Sequence, residues 1–310
     1  MDRRAQLPRP FGWFHLAFSA ELKRAEVVAM TCFGHDVVLF RTEAGEAKLL
    51  DAFCPHLGAH LGHGGTVAGE AISCPFHGWR FSGDGVCLEV PYARTAPPVV
   101  GKRCLRPWPL AEVNRSIFAW FHPRQEAPAF PVVELAELSG DDGEWTELLR
   151  KRWKVRCHVQ EVQENEVDTA HFRSVHRVDP AFEFQFAAHR SRIVMDSTPA
   201  GSGMRSRVVL ERNGPGQTWA RHEGFPEFLV LNPVTPIDDD YVMINIGVAF
   251  RRATAGKLSP IHQKVFGDIC AQVEKDVPIF ENKVYRAAPL YCDGDGPIRE
   301  FREWFRQFYA

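Results

Sequence analysis

Residues 54–79 read CPHLGAHLGHGGTVAGEAISCPFHGW, and the residues that decide the fold stand at the two ends of this stretch. Cys54 and His56 begin it, Cys74 and His77 end it, and the resulting pattern is C-P-H-x17-C-P-F-H. Each of two loops therefore offers one thiolate and one imidazole. Two Cys and two His residues together form a ligand set that is typical of a metal centre.

Two kinds of metal centre use such a set. Zinc takes all four ligands on one ion, whereas a Rieske [2Fe–2S] cluster places the thiolates on one iron and the imidazoles on the other. Zinc sites usually pair like ligands, as C-x2-4-C followed by H-x3-5-H. Because each loop here mixes sulfur with nitrogen, the spacing favours a Rieske cluster. The predicted ligands are Cys54, His56, Cys74 and His77.

Other residues near the two loops are interpreted without a ligand role. His60 and His63 lie between the loops, but four ligands already complete the site. Trp79 and Leu57 are expected to shield the cluster from water and so tune its potential. The remaining cysteines are expected to be inert packing residues: Cys32, Cys87, Cys104, Cys157, Cys270 and Cys292.

Length and composition restrict the class of protein. The 310 residues allow one large domain or two ordinary ones, and 45% hydrophobic with 25% charged residues is typical of a globular protein. A net charge of −2 gives no reason to expect a nucleic-acid partner. The N-terminus, MDRRAQLPRP, lacks the apolar stretch of a signal peptide, and no run long enough for a membrane anchor follows. We therefore expect a cytoplasmic protein.

The pattern of apolar residues predicts an α+β chain in two domains. Short alternating runs over residues 11–50 predict a β-meander or small barrel, and further short strands follow the cysteine loops. A Pro- and acid-rich stretch breaks the periodicity at 123–145, so we predict an all-β domain over 1–140 and a second domain over 141–310. In the second domain, 159–176 is predicted to be a helix, 190–250 mostly strands, and Ser259-Pro260 the start of a further helix.

A second motif, ENEVDTAHFRSVH, occupies residues 164–176. Asn165, Asp168 and His171 recur every three residues and are predicted to share one helical face. His176 falls about 140° away from that face on a regular helix. Both histidines therefore reach one metal only if the helix ends or distorts near Arg173-Ser174.

Two imidazoles need a carboxylate to complete the facial triad of a non-haem Fe(II) oxygenase. The local carboxylates are Asp168, Glu164 and Glu166. A distant candidate is Asp276, which lies on the apolar stripe of its helix, where an unpaired charge is costly unless a metal neutralises it. Asp268 is placed similarly and is kept in reserve, while Glu274 is expected to face solvent.

With both motifs in place, the chain resembles the Rieske non-haem iron oxygenases (ring-hydroxylating oxygenase α-subunits) over nearly its whole length. It is most similar to 3-ketosteroid 9α-hydroxylase oxygenase components and cholesterol 7-desaturases. The stretches CPHLGAHLG and CPFHGWRF carry this resemblance, together with KDVPIFENKVYRAAPLYCDGDGPIREFREWFRQFY near the C-terminus. The resemblance implies a Rieske β-domain followed by a helix-grip catalytic domain.

The resemblance also implies roles for the motif residues. The [2Fe–2S] cluster would be held by the two Cys and two His residues named above. The catalytic Fe(II) would be held by His171, His176 and Asp276. Asp168 would bridge His171 to a cluster histidine, His77, of a neighbouring subunit in a head-to-tail trimer. Asn165 is predicted to be catalytic as well.

The expected activity is monooxygenation of a bulky apolar, steroid- or sterol-like substrate with O2. Electrons would come from a separate NAD(P)H-dependent reductase, with or without a ferredoxin, because this chain has no nucleotide-binding G-x-G-x-x-G motif with its acidic partner. Aromatic candidates for an apolar pocket are Phe172, Phe182, Phe184, Phe186, Trp219, Phe225 and Phe228. The alternatives are a desaturase or demethylase on the same scaffold, a Rieske electron carrier, and a zinc protein. Neither an N-terminal anchor nor a long C-terminal extension is expected.

Overall fold

The computed structural model describes residues 7–140, 143–197, 206–252 and 258–310. The N-terminal part is built from antiparallel strands in three sheets, with the orders β1-β10-β9, β2-β3-β4 and β5-β6-β7-β8. These strands are β1 (Gly12–Phe18), β2 (Val27–Cys32), β3 (His35–Arg41), β4 (Ala47–Asp51), β5 (Thr66–Ala68), β6 (Ala71–Ser73), β7 (Arg80–Ser82), β8 (Cys87–Glu89), β9 (Leu110–Val113) and β10 (Ser116–Phe121). The predicted all-β character of this part is confirmed.

Strands β1 and β10 join the N-terminal part to the rest of the protein. Both are buried along their whole length, and Trp13 pairs with Trp120 between them. One hydrophobic core runs from these strands into the following sheet, and the Thr235 hydroxyl donates a 2.6 Å hydrogen bond to the carbonyl of His15. The apolar runs GWFHLAF and SIFAWF fit strands that are covered on both faces.

The C-terminal part is a single antiparallel sheet with helices packed against it. The strand order is β11-β18-β16-β15-β14-β13-β12, and β17 also pairs with β18. These strands are β11 (Leu149–Val155), β12 (Ala181–Ala187), β13 (Arg190–Ser197), β14 (Ser206–Asn213), β15 (Gln217–Glu223), β16 (Phe228–Leu231), β17 (Val234–Pro236) and β18 (Val242–Phe250). The helices are α1 (Ala136–Ser139), α2 (Val159–Asn165), α3 (Thr169–Ser174), α4 (Pro260–Asn282) and α5 (Ile298–Phe305).

This arrangement confirms the predicted α+β class with a sheet-and-helix catalytic domain. Helix α4 begins at Pro260 behind Ser259, as the sequence predicts, and contacts β11 and β18. Residues 141 and 142, beside the predicted domain boundary, and residues 198–205 of the predicted strand region lie outside the described residues. Within the part of the chain that is described, no helix is both long and apolar enough to cross a bilayer.

The prediction of one helix over residues 159–176 is wrong, because the chain breaks between α2 and α3. Asp168 caps α3, since its Oδ1 atom accepts the backbone N–H groups of Ala170 at 3.1 Å and His171 at 3.4 Å. An Asp side chain that bonds nearby N–H groups favours a helix start over a helix interior. Asn165, Asp168 and His171 therefore do not share one continuous helical face. The predicted helix end near Arg173-Ser174 does occur, at Ser174.

Candidate metal centres

Two loops with the same backbone geometry carry the first motif. The N–H of Gly58 donates to the carbonyl of Cys54 at 3.0 Å, and Gly78 donates to Cys74 at the same distance. Both glycines have left-handed φ angles, +76° and +72°, which glycine adopts without steric cost. The two C-P-x-x-G turns are therefore equivalent, and they present their side chains to each other.

The structure brings the four predicted cluster ligands together. Cys54 and Cys74 are buried at 2% and 4% exposure in one apolar cluster, and their thiols interact. The rings of His56 and His77 are half-buried with centroids 4.7 Å apart. Among the described residues, no three of these four ligand atoms lie within 4.8 Å of one another. They do not surround one point, as the ligands of a single tetrahedral zinc ion would, and this spacing fits a dinuclear cluster.

The chemistry of these side chains fits an iron–sulfur cluster. Burial raises the pKa of the Cys54 thiol to about 11, and bound iron would supply the positive charge that keeps a thiolate deprotonated there. The Nδ1 atom of His56 is buried without a hydrogen-bond partner. An orphaned imidazole nitrogen is unusual in a protein interior, and metal binding would satisfy it.

The surroundings of the cluster loops differ from expectation at one residue. Trp79 stacks on His56 with centroids 4.8 Å apart and donates its indole N–H to the Tyr92 hydroxyl at 3.0 Å, so it covers the site as predicted. Leu57 is 65% exposed and does not shield it within the single chain. His60 accepts the N–H of Gly62 at Nδ1, and its ring faces His63.

The second motif meets helix α4. His171, His176 and Asp276 place their ligand atoms within 4.8 Å of one another, and no other such set occurs within the described ranges. The Nε2 atom of His176 lies 3.3 Å from Oδ2 of Asp276. His171 and Asp276 are 9% and 8% exposed. The break before α3 and its early end allow both histidines to face the same point.

Hydrogen bonds on the far side of each imidazole orient the two histidines. His171 donates its Nδ1–H to the backbone carbonyl of Asp168 at 2.5 Å, and His176 donates its Nδ1–H to Oε1 of Gln272 at 2.7 Å. In both rings this leaves the Nε2 lone pair directed at Asp276 and its surroundings. Metal-binding histidines have this arrangement almost without exception. The sequence analysis missed Gln272, although it stands one helical turn before Asp276.

Asn165 completes the group. Its Nδ2 atom lies 3.2 Å from Nε2 of His171 and 3.3 Å from Oδ2 of Asp276. Burial lowers the pKa of His171, whereas the hydrogen bond with Asp276 raises the pKa of His176. The Oδ1 atom of Asp276 is buried without a partner. Two neutral imidazoles and an under-satisfied carboxylate are the donors of a facial-triad Fe(II) site.

The local carboxylates that the sequence left open are engaged elsewhere. Glu164 forms a bidentate ion pair with Arg302 at 2.6 and 2.8 Å. Glu166 pairs with the fully buried Arg212. Asp168 caps α3 with its carboxylate. None of the three is part of the three-residue set.

The other carboxylates of α4 are exposed. Asp268 forms an ion pair with Lys264 at 2.6 Å, one turn away on the surface. Glu274 faces solvent, as expected, and pairs with Lys151. Asp276 is therefore the buried carboxylate of the helix, as its position on the apolar stripe indicates.

The seven aromatic candidates do not gather into one pocket. Phe172 contacts the rings of His171 and His176 and packs against Phe182. Trp219 is buried with its indole N–H bonded to Glu211. The remaining candidates are spread, Phe184 stacking on Phe182, Phe186 against Phe301 and Trp304, Phe228 on His222, and Phe225 at 74% exposure.

Comparison with known proteins agrees with both centres. Residues 12–109 match the Rieske [2Fe–2S] domain, and residues 119–309 match the 3-ketosteroid 9α-hydroxylase C-terminal domain. A two-iron cluster domain followed by this catalytic domain defines a Rieske non-haem iron oxygenase. The chain belongs to the 3-ketosteroid 9α-hydroxylase family of these enzymes.

Similar proteins and structures extend over most of the chain. A probable 3-ketosteroid-9-alpha-monooxygenase oxygenase component from Rhodococcus rhodochrous is 33% identical, over 96% of this chain and 79% of that protein. Cholesterol 7-desaturase from Ciona intestinalis is 29% identical, over 97% and 69%. Dicamba monooxygenase bound to dicamba superimposes with a TM-score of 0.77 at 20% identity, over 98% of both chains. Pseudomonas putida NdmA with caffeine gives 0.78 at 18%, over 95% and 89%.

The predicted enzyme class and cofactors are confirmed by these matches. The protein is an oxidoreductase that uses a Rieske [2Fe–2S] cluster and a mononuclear non-haem iron. As an oxygenase component it uses O2 and receives electrons from a separate electron-transfer protein.

Proposed function

We propose that this protein is the oxygenase component of a monooxygenase that hydroxylates a steroid- or sterol-like substrate. The observation that carries the proposal is the convergence of His171, His176 and Asp276 in a chain that is 33% identical to a probable 3-ketosteroid-9-alpha-monooxygenase oxygenase component. The three donors match a facial triad, which leaves coordination positions open for O2.

Each centre has a ligand set in this proposal. Cys54 and Cys74 hold one iron of the cluster, and His56 and His77 hold the other. His171, His176 and Asp276 hold the catalytic Fe(II). When bound, the two centres supply stored electrons and the activation of O2. The residue-level assignment is supported by the orphaned His56 Nδ1 and Asp276 Oδ1 atoms.

The protein's own residues keep the catalytic site ready to bind metal. The Asp168 carbonyl and the Gln272 side chain hold the two imidazoles in the tautomer with a free Nε2 atom. Asn165 acts as a catalytic residue because its side-chain amide contacts both His171 and Asp276 and offers N–H groups at the reacting centre. Phe172 excludes water from one side of the two histidines.

The two centres work between neighbouring chains of a head-to-tail trimer in this proposal. Asp168 of one chain, held by the cap of α3, connects His171 to His77 of the next. Support comes from apolar side chains around the cluster loops, since Leu57 and Phe76 are 65% and 60% exposed. Exposed apolar groups in one place indicate a covered surface, and a head-to-tail contact that closes forms a ring.

A groove beside α3 is the proposed acceptor for these side chains. It has a volume of about 660 Å³ and runs along Thr169, Arg173 and Ser174 to Phe182, next to Asp168 and His171. A second copy of the chain that inserted its cluster loops there would bring His77 to Asp168. The same contact would cover Leu57, which would then shield the cluster as the sequence analysis expects.

An NAD(P)H-dependent reductase, with or without a ferredoxin, supplies the electrons in this proposal. Support comes from the absence of a nucleotide-binding glycine motif in the sequence. We also place the boundary between the Rieske and catalytic domains at residues 140 and 141. A purified chain that oxidised its substrate with NADH alone would overturn the division of labour between the two proteins.

The test is turnover by the iron-loaded protein with NADH, a Rieske-oxygenase reductase and a panel of 3-ketosteroids, sterols and small aromatic acids. Mass spectrometry should show one added oxygen atom in a steroid product, and none with the Asp276→Ala variant. Loss of two hydrogen atoms would favour the desaturase alternative, which the 29% identity to cholesterol 7-desaturase supports. Oxidation of the aromatic acids alone would contradict the steroid proposal.

A further inference from the structure

A segment near the C-terminus contacts the break between α2 and α3. We call residues 292–302 the C-terminal strap. The hydroxyl of Thr169 donates to the carbonyl of Gly294 at 3.3 Å, Gly296 packs on Val167, and Arg302 pairs with Glu164. The strap therefore contacts the chain before, within and after the break.

The contact at Gly296 leaves no room for a side chain. A Cβ atom at this position would lie 1.8 Å from the carbonyl oxygen of Val167 and 3.0 Å from its carbonyl carbon. Both are backbone atoms, so relief would require the break itself to move. Glycine is needed where two backbones approach this closely.

The ion pair between Arg302 and Glu164 fixes the other side of the break. Two N–H groups of Arg302 donate to the two carboxylate oxygens at 2.6 and 2.8 Å, and the side chains are 12% and 11% exposed. A third N–H group donates to the carbonyl of Arg286 at 2.7 Å. A bidentate pair that is largely shielded from water holds its partners in one geometry.

The residues of the iron site lie between these contacts. Asn165 follows Glu164 directly, and Asp168 follows Val167. The carbonyl of Asp168 accepts the Nδ1–H of His171, and this hydrogen bond sets the direction of the imidazole. A shift at Val167 therefore moves the acceptor that orients His171.

We propose that the C-terminal strap is a positioning element for the catalytic iron site, and that Gly296 and Arg302 are its positioning residues. They hold the break so that the Asp168 carbonyl directs Nε2 of His171 at Asp276. The same contacts fix the face of Asp168 that the next subunit would meet. This inference rests on the proposed ligand set of the catalytic iron.

The test is a Co²⁺ titration of protein that retains its [2Fe–2S] cluster after a chelator has removed the catalytic iron. Gly296→Ala and Arg302→Gln should bind Co²⁺ about tenfold more weakly than the unchanged protein, and Arg302→Lys should recover part of the loss. The cluster spectrum should stay unchanged in all three. A lower melting temperature with unchanged Co²⁺ affinity would show a merely structural role and overturn the proposal.

Two matched controls separate the strap from general effects. Gly267→Ala adds a methyl group to the exposed face of α4, where nothing lies within 4 Å, and Arg306→Gln removes an exposed arginine just after α5. Both should bind Co²⁺ within about twofold of the unchanged protein. If either weakened binding as much as its strap counterpart, the assignment to the strap would fail.

Asp276→Ala provides the reference for the ligand set. If it binds Co²⁺ normally, the proposed ligands are wrong, and the inference falls with them. If it loses Co²⁺ while the strap variants do not, the strap proposal alone is wrong. Should Gly296→Ala fail to fold, the Arg302 pair of variants decides the question, because their substitutions introduce no clash.

Discussion

The Nε2 atom of His176 lies 3.3 Å from Oδ2 of Asp276, although the two residues come from distant segments of the catalytic domain. His176 follows the short helix α3, and Asp276 lies near the C-terminal end of the long helix α4. The contact draws both helices to one point and places a buried carboxylate beside two imidazoles. Each prediction below concerns this centre, the cluster loops or the core that supports them.

Removal of the Asp276 carboxylate should empty the catalytic iron site and spare the cluster. In Asp276→Ala two imidazoles remain, which is one ligand short of a facial triad. Metal analysis should fall from about three iron atoms per chain to about two, with turnover abolished. The visible spectrum of the cluster should not change.

Asp268→Ala is the matched control on the same helix. Asp268 is exposed and pairs only with the surface residue Lys264 in the described contacts. We expect unchanged iron content and turnover. If Asp268→Ala lost the iron and Asp276→Ala kept it, the proposed triad would be wrong.

Gln272 should contribute to metal affinity without touching the metal. In Gln272→Leu, the Nδ1–H of His176 loses its acceptor, so the imidazole is free to rotate and change tautomer. Competition with a chelator should show about tenfold weaker metal binding. Gln263→Leu, a change at an exposed position two turns earlier on α4, should bind as the unchanged protein does. Equal affinities in both variants would contradict the role of Gln272.

Charges on the cluster loops should dissociate the proposed trimer. Leu57→Glu and Phe76→Glu would place carboxylates on exposed apolar positions that a neighbouring chain would cover. Light scattering should show monomers with an intact cluster spectrum, and electrons should no longer pass from the cluster to the catalytic site. Phe225→Glu, at a 74% exposed site away from these loops, should leave the assembly unchanged. Trimers that survived both loop changes would contradict the proposed contact.

His15 should make the folded protein less stable in mild acid. Burial, with a smaller contribution from Arg152, lowers its pKa to about 3, and neither ring nitrogen has a hydrogen-bond partner. Below the unfolded pKa of about 6.5 the unfolded chain binds a proton that the folded chain excludes until about pH 3. The free energy of unfolding should therefore fall as the pH decreases through this range, by about 2 kcal/mol at pH 5 from this residue.

The measurement compares His15→Leu with the unchanged protein in denaturant at pH 7 and pH 5. The variant should lose about 2 kcal/mol less between the two pH values, because leucine does not titrate. Comparing differences between pH values cancels any change in packing caused by the substitution. Identical losses in both proteins would show that His15 is protonated in the folded state.

Local spacing made the cluster loops predictable. A Cys and a His within each short turn fix their relative positions through the backbone alone, and the glycine that closes each turn is present in both. Asp276 was predictable for a related reason, since a carboxylate on the apolar stripe of a regular helix must be buried. The start of α4 followed from the local signal of Ser259-Pro260.

The break between α2 and α3 was not predicted, because periodicity alone did not reveal the competing hydrogen bonds of Asp168. Its carboxylate satisfies two backbone N–H groups at the start of a new helix. Contacts from the strap also fix the break, and they come from the far end of the sequence. Gln272 was missed because its amide is informative only once His176 lies beside it.

The sequence by itself determined the two ligand motifs, the α+β class and the family, because these depend on residue type and short spacing. The tertiary structure decided which carboxylate joins the two histidines, how their rings are oriented and what holds the intervening break. Those relationships form when α3, α4 and the C-terminal strap pack together, and packing between distant segments leaves no periodic signal in any one of them.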